Sequence, residues 1–281
     1  QLEGVMPDTI SWNTMLSVYS QCNSTLQLFE QMQQEKILPN KVTFVIVLDA
    51  CASIETLRKG SCIHSLAIQM GFDIDLDVQN AIINMYSKCG MLAAAHKVFD
   101  QMCEWDIISW NIIIRAFSQH GQSKRTLLLF EEMVGHNYPP DGVTFVSVLS
   151  SCGHEGLVLD GCNLFFSIRD EYGIIPLQEH YHCMIHMLAK AGLIEKAMEF
   201  INTMPIQQTY VTWMALISTY KDSPNMAGGE CVVRHMIELD EENASTHVML
   251  SNMYVLCTSA EQSWSLNVRE VDEIVYQTSY R

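Results

Sequence analysis

The chain has 281 residues, of which 48% are hydrophobic, and its formal net charge is −16. This hydrophobic content is ample for a folded core. The acidic residues are spread evenly and there is no basic tail or patch, which argues against tight, charge-driven, non-specific binding to nucleic acid. No run of 18 apolar residues occurs, so no membrane span is expected. Because the chain starts at Gln1, we expect the natural N-terminus, with any targeting signal, to lie further upstream.

The ten cysteines do not form CxxC pairs, and they recur at similar places along the chain, as Cys51 and Cys152 or Cys22 and Cys89 do. This pattern indicates small packing residues in a reducing compartment rather than a disulfide framework.

One spacing of apolar residues recurs along the chain, with members three, four and seven positions after an anchor. The eight anchors are Trp12, Phe44, Gln79, Trp110, Phe145, Tyr181, Trp213 and His247. Such spacing places the residues on one face of a helix, whereas a strand would require alternation. The anchors are 32, 35, 31, 35, 36, 32 and 34 residues apart, so the unit is a helical hairpin of irregular length.

After the first helix of each unit the helical pattern is interrupted, and a second helix with the same spacing follows. One example is Thr126, Leu129, Phe130 and Met133. The breaks often hold a glycine, which supplies the left-handed turn that ends a helix. The glycines concerned are Gly90, Gly121 and Gly192. Because one hairpin cannot bury both of its faces, we predict stacked neighbours. The predicted fold is all-α, a right-handed α-solenoid (superhelix) of helix-turn-helix repeats.

The unit length cycles rather than staying at the constant 34 residues of tetratricopeptide repeats. Ser11-Trp12-Asn13 recurs as Ser109-Trp110-Asn111 after 98 residues, and Val42-Thr43-Phe44-Val45 recurs as Val143-Thr144-Phe145-Val146 after 101. There is thus a higher-order period of three unlike units.

With these phrases and this alternation, the chain resembles plant pentatricopeptide repeat proteins of the PLS subclass, whose P, L and S units differ in length. The resemblance assigns P units at 9–40 and 107–141, L units at 41–75 and 142–177, and S units at 76–106 and 178–209. The whole array spans 9–209, after a partial segment at 1–8. Residues 210–257 resemble the C-terminal E motifs of the subclass, and residues 258–281 form a divergent tail without the family's deaminase domain.

The resemblance implies that each coding unit reads one RNA base with its fifth and last residues, while an apolar second residue packs against the base. Transferred to this sequence, the resemblance predicts three RNA-binding pairs, two of which have an apolar packing residue. They are Asn13 and Asn40 with Ile10, Asn80 and Asp106, and Asn111 and Asp141 with Ile108. In the family, a unit with Asn as its fifth and Asp as its last residue reads uracil. A unit with Asn at both positions reads a pyrimidine. The S unit has Asp77 as its second residue, which is unsuited to pack a base.

A purely structural alternative exists for the same side chains. Asparagine near a helix start commonly caps backbone N–H groups, and from spacing alone this interpretation is favoured for Asn13, Asn80 and Asn111. The resemblance reverses that preference, because all three share one register and pair with Asn or Asp ends. Asp106 and Asp141 directly precede a predicted helix, so capping and reading can coexist there.

No catalytic or metal-binding motif is found. A zinc deaminase needs His-x-Glu and a later Pro-Cys-x-x-Cys, and both are absent, as is GxSxG. His182 and His186 share a helical face beside Cys183, but we interpret them as polar positions on a repeat helix.

The chain is therefore expected to be no enzyme and to need no cofactor. The resemblance implies binding of single-stranded RNA in a mitochondrion or chloroplast, and specifically site recognition for C-to-U editing. The deaminase would come from another protein, recruited with multiple organellar RNA editing factors through the E-like region. A protein–protein scaffold is the alternative, which the net charge of −16 favours.

Overall fold

The computed structural model describes residues 8–19 and 23–206, together with Thr212 and Leu216. Most of the N-terminal segment 1–8, nearly all of the E-like region 210–257 and the tail 258–281 lie outside the described residues. The described part of the chain contains helices and no strand, as expected for an all-α protein. The helices are α1 (Thr9–Val18), α2 (Asn23–Gln34), α3 (Lys41–Ser53), α4 (Leu57–Gln69), α5 (Leu76–Lys88), α6 (Leu92–Asp100), α7 (Ile107–Gln119), α8 (Ser123–Gly135), α9 (Gly142–Glu155), α10 (Val158–Asp170), α11 (Gln178–Lys190) and α12 (Ile194–Thr203). None of the described helices has the length and apolar character needed to cross a membrane.

The chain divides into two compact units, one of residues 1–155 with 160–176, and one of residues 156–159 with 177–281. In the first unit, α1 to α8 form four helical hairpins. The first helix of each hairpin packs against the first helix of the next, which places α1, α3, α5, α7 and α9 side by side. Each second helix packs against the following first helix. In the second unit, α11 and α12 form a hairpin.

The predicted helical faces form the core. All four members of the predicted faces that begin at Phe44, Trp110, Phe145 and Tyr181 are buried. The prediction is wrong for Met15 on α1 and for Tyr19, the C-cap residue of α1, which are both exposed. No described helix precedes α1 to cover them. Aromatic rings join the hairpins to each other, for example Trp110, whose ring centroid lies 4.9 Å from that of Phe99.

The breaks between the helices follow the glycine pattern. Gly90, Gly121 and Gly192 adopt positive φ angles of 75°, 69° and 76°, as predicted for the turns after α5, α7 and α11.

The seven cysteines that the structure describes are free thiols. Cys51 and Cys152 are buried in the core, and burial raises the pKa of each to about 11. They are neutral packing residues, as the sequence predicts, while Cys22 lies outside the described residues.

The stacking of first helices can be tested at two phenylalanines. Phe145 is completely buried on α9, whereas Phe166 is 62% exposed on α10. We expect Phe145→Ala to lower the free energy of unfolding by about 3–5 kcal/mol, because it removes buried apolar area and leaves a cavity. Phe166→Ala is the matched control and should change it by less than about 0.5 kcal/mol. Urea unfolding followed by circular dichroism measures both, and equal losses would contradict the packing described.

Candidate nucleic-acid interface

The three predicted reading asparagines occupy the same place in three first helices. Asn13, Asn80 and Asn111 are each the fifth residue of their helix, on α1, α5 and α7. They do not cap these helices, because the N-cap residues are Asp8, Asp75 and Asp106. The capping interpretation is therefore wrong for the asparagines.

The side chain of each of these asparagines donates a hydrogen bond to the side chain of the last residue of its own unit, 26 to 30 positions further along the chain. Asn13 Nδ2 donates to Asn40 Oδ1 over 3.0 Å. Asn111 Nδ2 lies 3.0 Å from Asp141 Oδ1 and 3.1 Å from Oδ2. The structure thus brings together the members of these two predicted pairs.

The pair in the S unit is more loosely joined. Asn80 Nδ2 lies 3.4 Å from Asp106 Oδ1, and Asn80 is only 7% exposed. Its Oδ1 is buried and has no hydrogen-bond partner among the described residues. The predicted pair is present, but one polar atom of its asparagine is unsatisfied.

The last residue of each unit also begins the next helix. Asn40 and Asp106 are N-caps with a reciprocal capping box, in which they accept from the backbone N–H of Thr43 and Ser109. Asp141 Oδ1 accepts from Thr144 N over 2.9 Å in the same way. Capping and contact with the asparagine therefore coexist on one side chain, which fixes its position at the junction of two units.

The hydroxyl groups of Thr43 and Thr144 complete the junction, and the sequence analysis assigned them no role. Thr43 Oγ1 lies 2.6 Å from Asn13 Oδ1, and Thr144 Oγ1 lies 2.6 Å from Asn111 Oδ1. The repeated Val-Thr-Phe-Val phrase contains both residues. The repetition of this phrase was the one sequence signal that pointed to these threonines. Local periodicity does not reveal a hydrogen bond between residues 30 or 33 positions apart.

Apolar side chains at the second position of the units remain exposed. Ile10 is 72% exposed and Ile108 is 60% exposed, although both are large hydrophobic residues. Val42 and Val143, at the same register of α3 and α9, are also exposed. The apolar series is interrupted at Asp77, whose carboxylate lies 3.2 Å from Lys41 Nζ.

Four of these second-position residues, Val42, Asp77, Ile108 and Val143, line one open groove of about 630 Å³ on the first helices α3, α5, α7 and α9. Asn80, Asn111 and Asp141 lie in it beside Ile108, so amide, carboxylate and apolar groups face the same space. Such a surface can hydrogen-bond to the edge of a planar ring and cover its face.

Acidic side chains outnumber basic ones in the groove, with Asp49, Asp77 and Asp141 against Lys41 and Arg115. Lys41 is engaged with Asp75 and Asp77, at 3.7 and 3.2 Å. Arg115, one turn after Asn111, has no carboxylate within ion-pair distance among the described residues. Asp49 also lines the groove, and burial raises the pKa of its carboxyl group, an effect that a hydrogen bond from Asn84 opposes.

The histidines of α11 are not part of a cluster of three or more metal-ligand side chains in the described part of the chain. His182 Nε2 lies 3.3 Å from Thr212 Oγ1, and burial lowers the pKa of His182, an effect that the nearby Glu179 opposes. In the described ranges, no group of three or more His, Cys, Asp or Glu side chains is placed to hold a metal ion.

The fold and the groove define a helical-repeat protein with recurrent polar pairs on its first helices. Comparison with known families agrees: the PPR repeat family matches residues 7–53 and 105–154, and the PPR repeat matches residues 80–107 and 179–206. Together these ranges span more than half of the chain. The chain belongs to the pentatricopeptide repeat family.

Its relatives include named organellar proteins. A mitochondrial pentatricopeptide repeat-containing protein of Arabidopsis thaliana is 36% identical over 250 residues, which are 88% of this chain and 45% of the relative. The chloroplastic pentatricopeptide repeat-containing protein CRR2 of the same plant is 36% identical over 258 residues, 89% of this chain and 39% of the relative. The chain thus spans less than half the length of these relatives.

Solved structures with the same fold include PPR10 from maize, with a TM-score of 0.60 and 20% identity, over 93% of this chain and 41% of that chain. The complex of PPR10 with an 18-nt psaJ RNA element gives a TM-score of 0.74 at 18% identity, over 99% of this chain and 44% of that chain. This likeness confirms the predicted helical-repeat solenoid.

Proposed function

We propose that this chain is a sequence-specific binder of single-stranded RNA that acts in a mitochondrion or chloroplast. The observation that carries the proposal is the recurrence of one polar pair at one register of three first helices. A random polar surface would not repeat an asparagine at the fifth helical residue and bond it each time to the cap of the next helix. An array of this kind is suited to reading one base per unit.

The chemistry of the pairs matches the edge of a nucleobase. An asparagine amide offers both a donor and an acceptor, and an aspartate offers only acceptors. The exposed Ile10 and Ile108 adjoin the asparagines and present apolar surface to the face of a base. The structure of PPR10 in complex with an 18-nt psaJ RNA element supports the same class of ligand. The mitochondrial and chloroplastic names of the relatives support the proposed organelles.

On this proposal the units align with RNA in parallel, from 5′ to 3′ along the chain. Asn13 with Asn40 takes a pyrimidine, and the Asn80–Asp106 and Asn111–Asp141 pairs take uridine. The L units carry valine at the fifth position and accept any base. The proposed target is pyrimidine, any, U, U, any.

We further propose that the chain is of the PLS subclass and selects sites for C-to-U RNA editing. The alternation of unit lengths supports this assignment. The described residues then supply recognition rather than catalysis. A deaminase-bearing protein and multiple organellar RNA editing factors would associate through the E-like region 210–257.

The base assignment is tested with labelled RNA oligomers in a fluorescence anisotropy titration. We expect the target oligomer to bind at least tenfold more tightly than one with purines at the three read positions, since each mispaired base loses about 1 kcal/mol or more. Asp141→Asn should reduce the preference for U over C at its position, and Asn40→Asp should raise it. Equal affinity for all oligomers would overturn the assignment.

A pull-down with and without RNase separates the editing proposal from the scaffold alternative. RNA crosslinking, together with recovery of a deaminase-bearing protein that is lost on removal of residues 210–257, supports editing. Partner proteins captured without any RNA crosslink favour a scaffold, for which the net charge of −16 is the motivation.

The electrostatic character of the groove gives a separate prediction. Because Lys41 is already paired, we assign the phosphate contact in the groove to Arg115. Arg115→Ala should weaken binding to every oligomer by a similar factor and make the slope of log K against log salt less steep by about 0.7.

The matched control is Arg58→Ala, which removes an exposed arginine from the second helix α4. It should leave both affinity and slope unchanged. A loss of base preference rather than of overall affinity in Arg115→Ala would contradict the assigned phosphate contact.

A further inference from the structure

In both P units, hydrogen bonds hold the two ends of the asparagine amide. Asn111 Nδ2 donates to Asp141, and Asn111 Oδ1 accepts from the hydroxyl of Thr144 over 2.6 Å. Asn13 is held by Asn40 and Thr43 with nearly the same distances. Because an amide has one donor end and one acceptor end, these two bonds are compatible with a single orientation of the group.

The S unit has the same pair without this second bond. Its third junction residue is Ser109, whose hydroxyl lies 2.8 Å from Asp106 Oδ1 instead of contacting Asn80. Asn80 Oδ1 is consequently buried without a partner among the described residues. An unpaired buried acceptor is unfavourable, so this amide lacks the restraint found in the P units.

The difference between threonine and serine accounts for the two arrangements. Threonine is β-branched and has restricted χ1 rotamers, whereas the serine hydroxyl turns more freely. Both residues keep the capping box, since Asp106 N donates to Ser109 Oγ over 3.3 Å and Asp141 N donates to Thr144 Oγ1 over 3.1 Å. Capping is shared, and only the contact with the asparagine differs.

Along the chain, a hydroxyl residue at the third position of a unit correlates with a polar fifth residue in the preceding unit. Units whose fifth residue is polar are followed by Thr or Ser at the third position of the next unit. These couples are Asn13 with Thr43, Asn80 with Ser109, Asn111 with Thr144 and His182 with Thr212. The two units with valine at the fifth position, Val45 and Val146, are followed by Val78 and His180.

Helix capping alone does not explain this correlation. The helix α5 begins without a hydroxyl at its third position, because Asp75 accepts from the backbone N–H groups of Asp77 and Val78. At α11, His180 Nδ1 accepts from Leu177 N over 2.9 Å. A hydroxyl is thus dispensable for starting a helix and is present where the preceding fifth residue is polar.

We propose that Thr43 and Thr144 are specificity-determining positioning residues, each orienting the asparagine of the preceding unit toward an RNA base. Ser109 leaves the Asn80 amide held only at its Nδ2 end, so the same Asn–Asp pair distinguishes uridine from cytidine less strictly in the S unit than in the second P unit. This inference rests on the proposed function. It adds a third residue, from the next unit, to each reading pair.

The test exchanges the two hydroxyl residues in the full chain. Thr144→Ser and Ser109→Thr are each titrated with RNA oligomers that carry U or C opposite Asn111 or Asn80. We expect Thr144→Ser to lower the U-over-C affinity ratio at Asn111 about fivefold, and Ser109→Thr to raise it about fivefold at Asn80. A fivefold ratio corresponds to about 1 kcal/mol. Each exchange should leave the ratio at the other position unchanged.

Thr126→Ser is the matched control, because Thr126 is a buried threonine of the second helix α8 whose hydroxyl bonds only within its helix, to Gln122 O. It should not change either ratio. If the unmodified protein prefers U and both exchanges leave the ratios unaltered, the inference is wrong while the proposed function stands.

If the unmodified protein binds none of the oligomers, the proposed function fails together with the base-reading part of the inference. In that case, the contact between Thr144 and Asn111 is tested in the free protein by ¹⁵N relaxation of the side-chain amide of Asn111. Greater mobility in Thr144→Ser supports the contact, and unchanged mobility overturns it.

Discussion

The structure depends on the hydrogen bonds that one side chain makes at the junction between units. The last residue of a coding unit caps the next helix and, with the same oxygen, accepts from the asparagine of its own unit, as Asp141 does with Thr144 and Asn111. The cap fixes where the next helix begins, and the start of that helix sets the register of its fifth residue. Helix capping and the proposed base recognition would therefore share one set of hydrogen bonds. Substitutions at a junction are expected to act on both.

Three of the junction side chains, Asn80, Asn111 and Asp141, line a groove that is poor in positive charge. In the described part, Lys41 is neutralised by Asp75 and Asp77, and the chain as a whole is strongly acidic. Non-specific affinity for nucleic acid derives mainly from phosphate contacts, so such a groove offers little of it. What the groove offers instead is amide and carboxylate edges beside exposed apolar side chains. For the proposed RNA ligand, this balance would favour discrimination between bases over strength of binding.

Much of the fold follows from local pattern, while the site depends on contacts between distant residues. The buried face of α9 was predictable because the spacing of Phe145 and Val148 repeats with the helical period. The exposure of Tyr19 was not, since burial depends on a neighbouring helix as well as on periodicity. The placement of Asn111 beside Asp141 was predicted only through the family resemblance. The contact with Thr144 was missed because nothing local in the sequence separates a capping threonine from one that also orients a side chain in the preceding unit.

The central claim is that the recurrent junction pairs read successive bases in one direction. Its most direct measurement is selection of bound RNA from a randomised pool, followed by sequencing of the enriched molecules. The account predicts an enriched five-base element with a pyrimidine at the first position and uridine at the third and fourth, and no preference at the second and fifth. Enrichment of purines at the read positions, the reverse order, or no enrichment at all would contradict it.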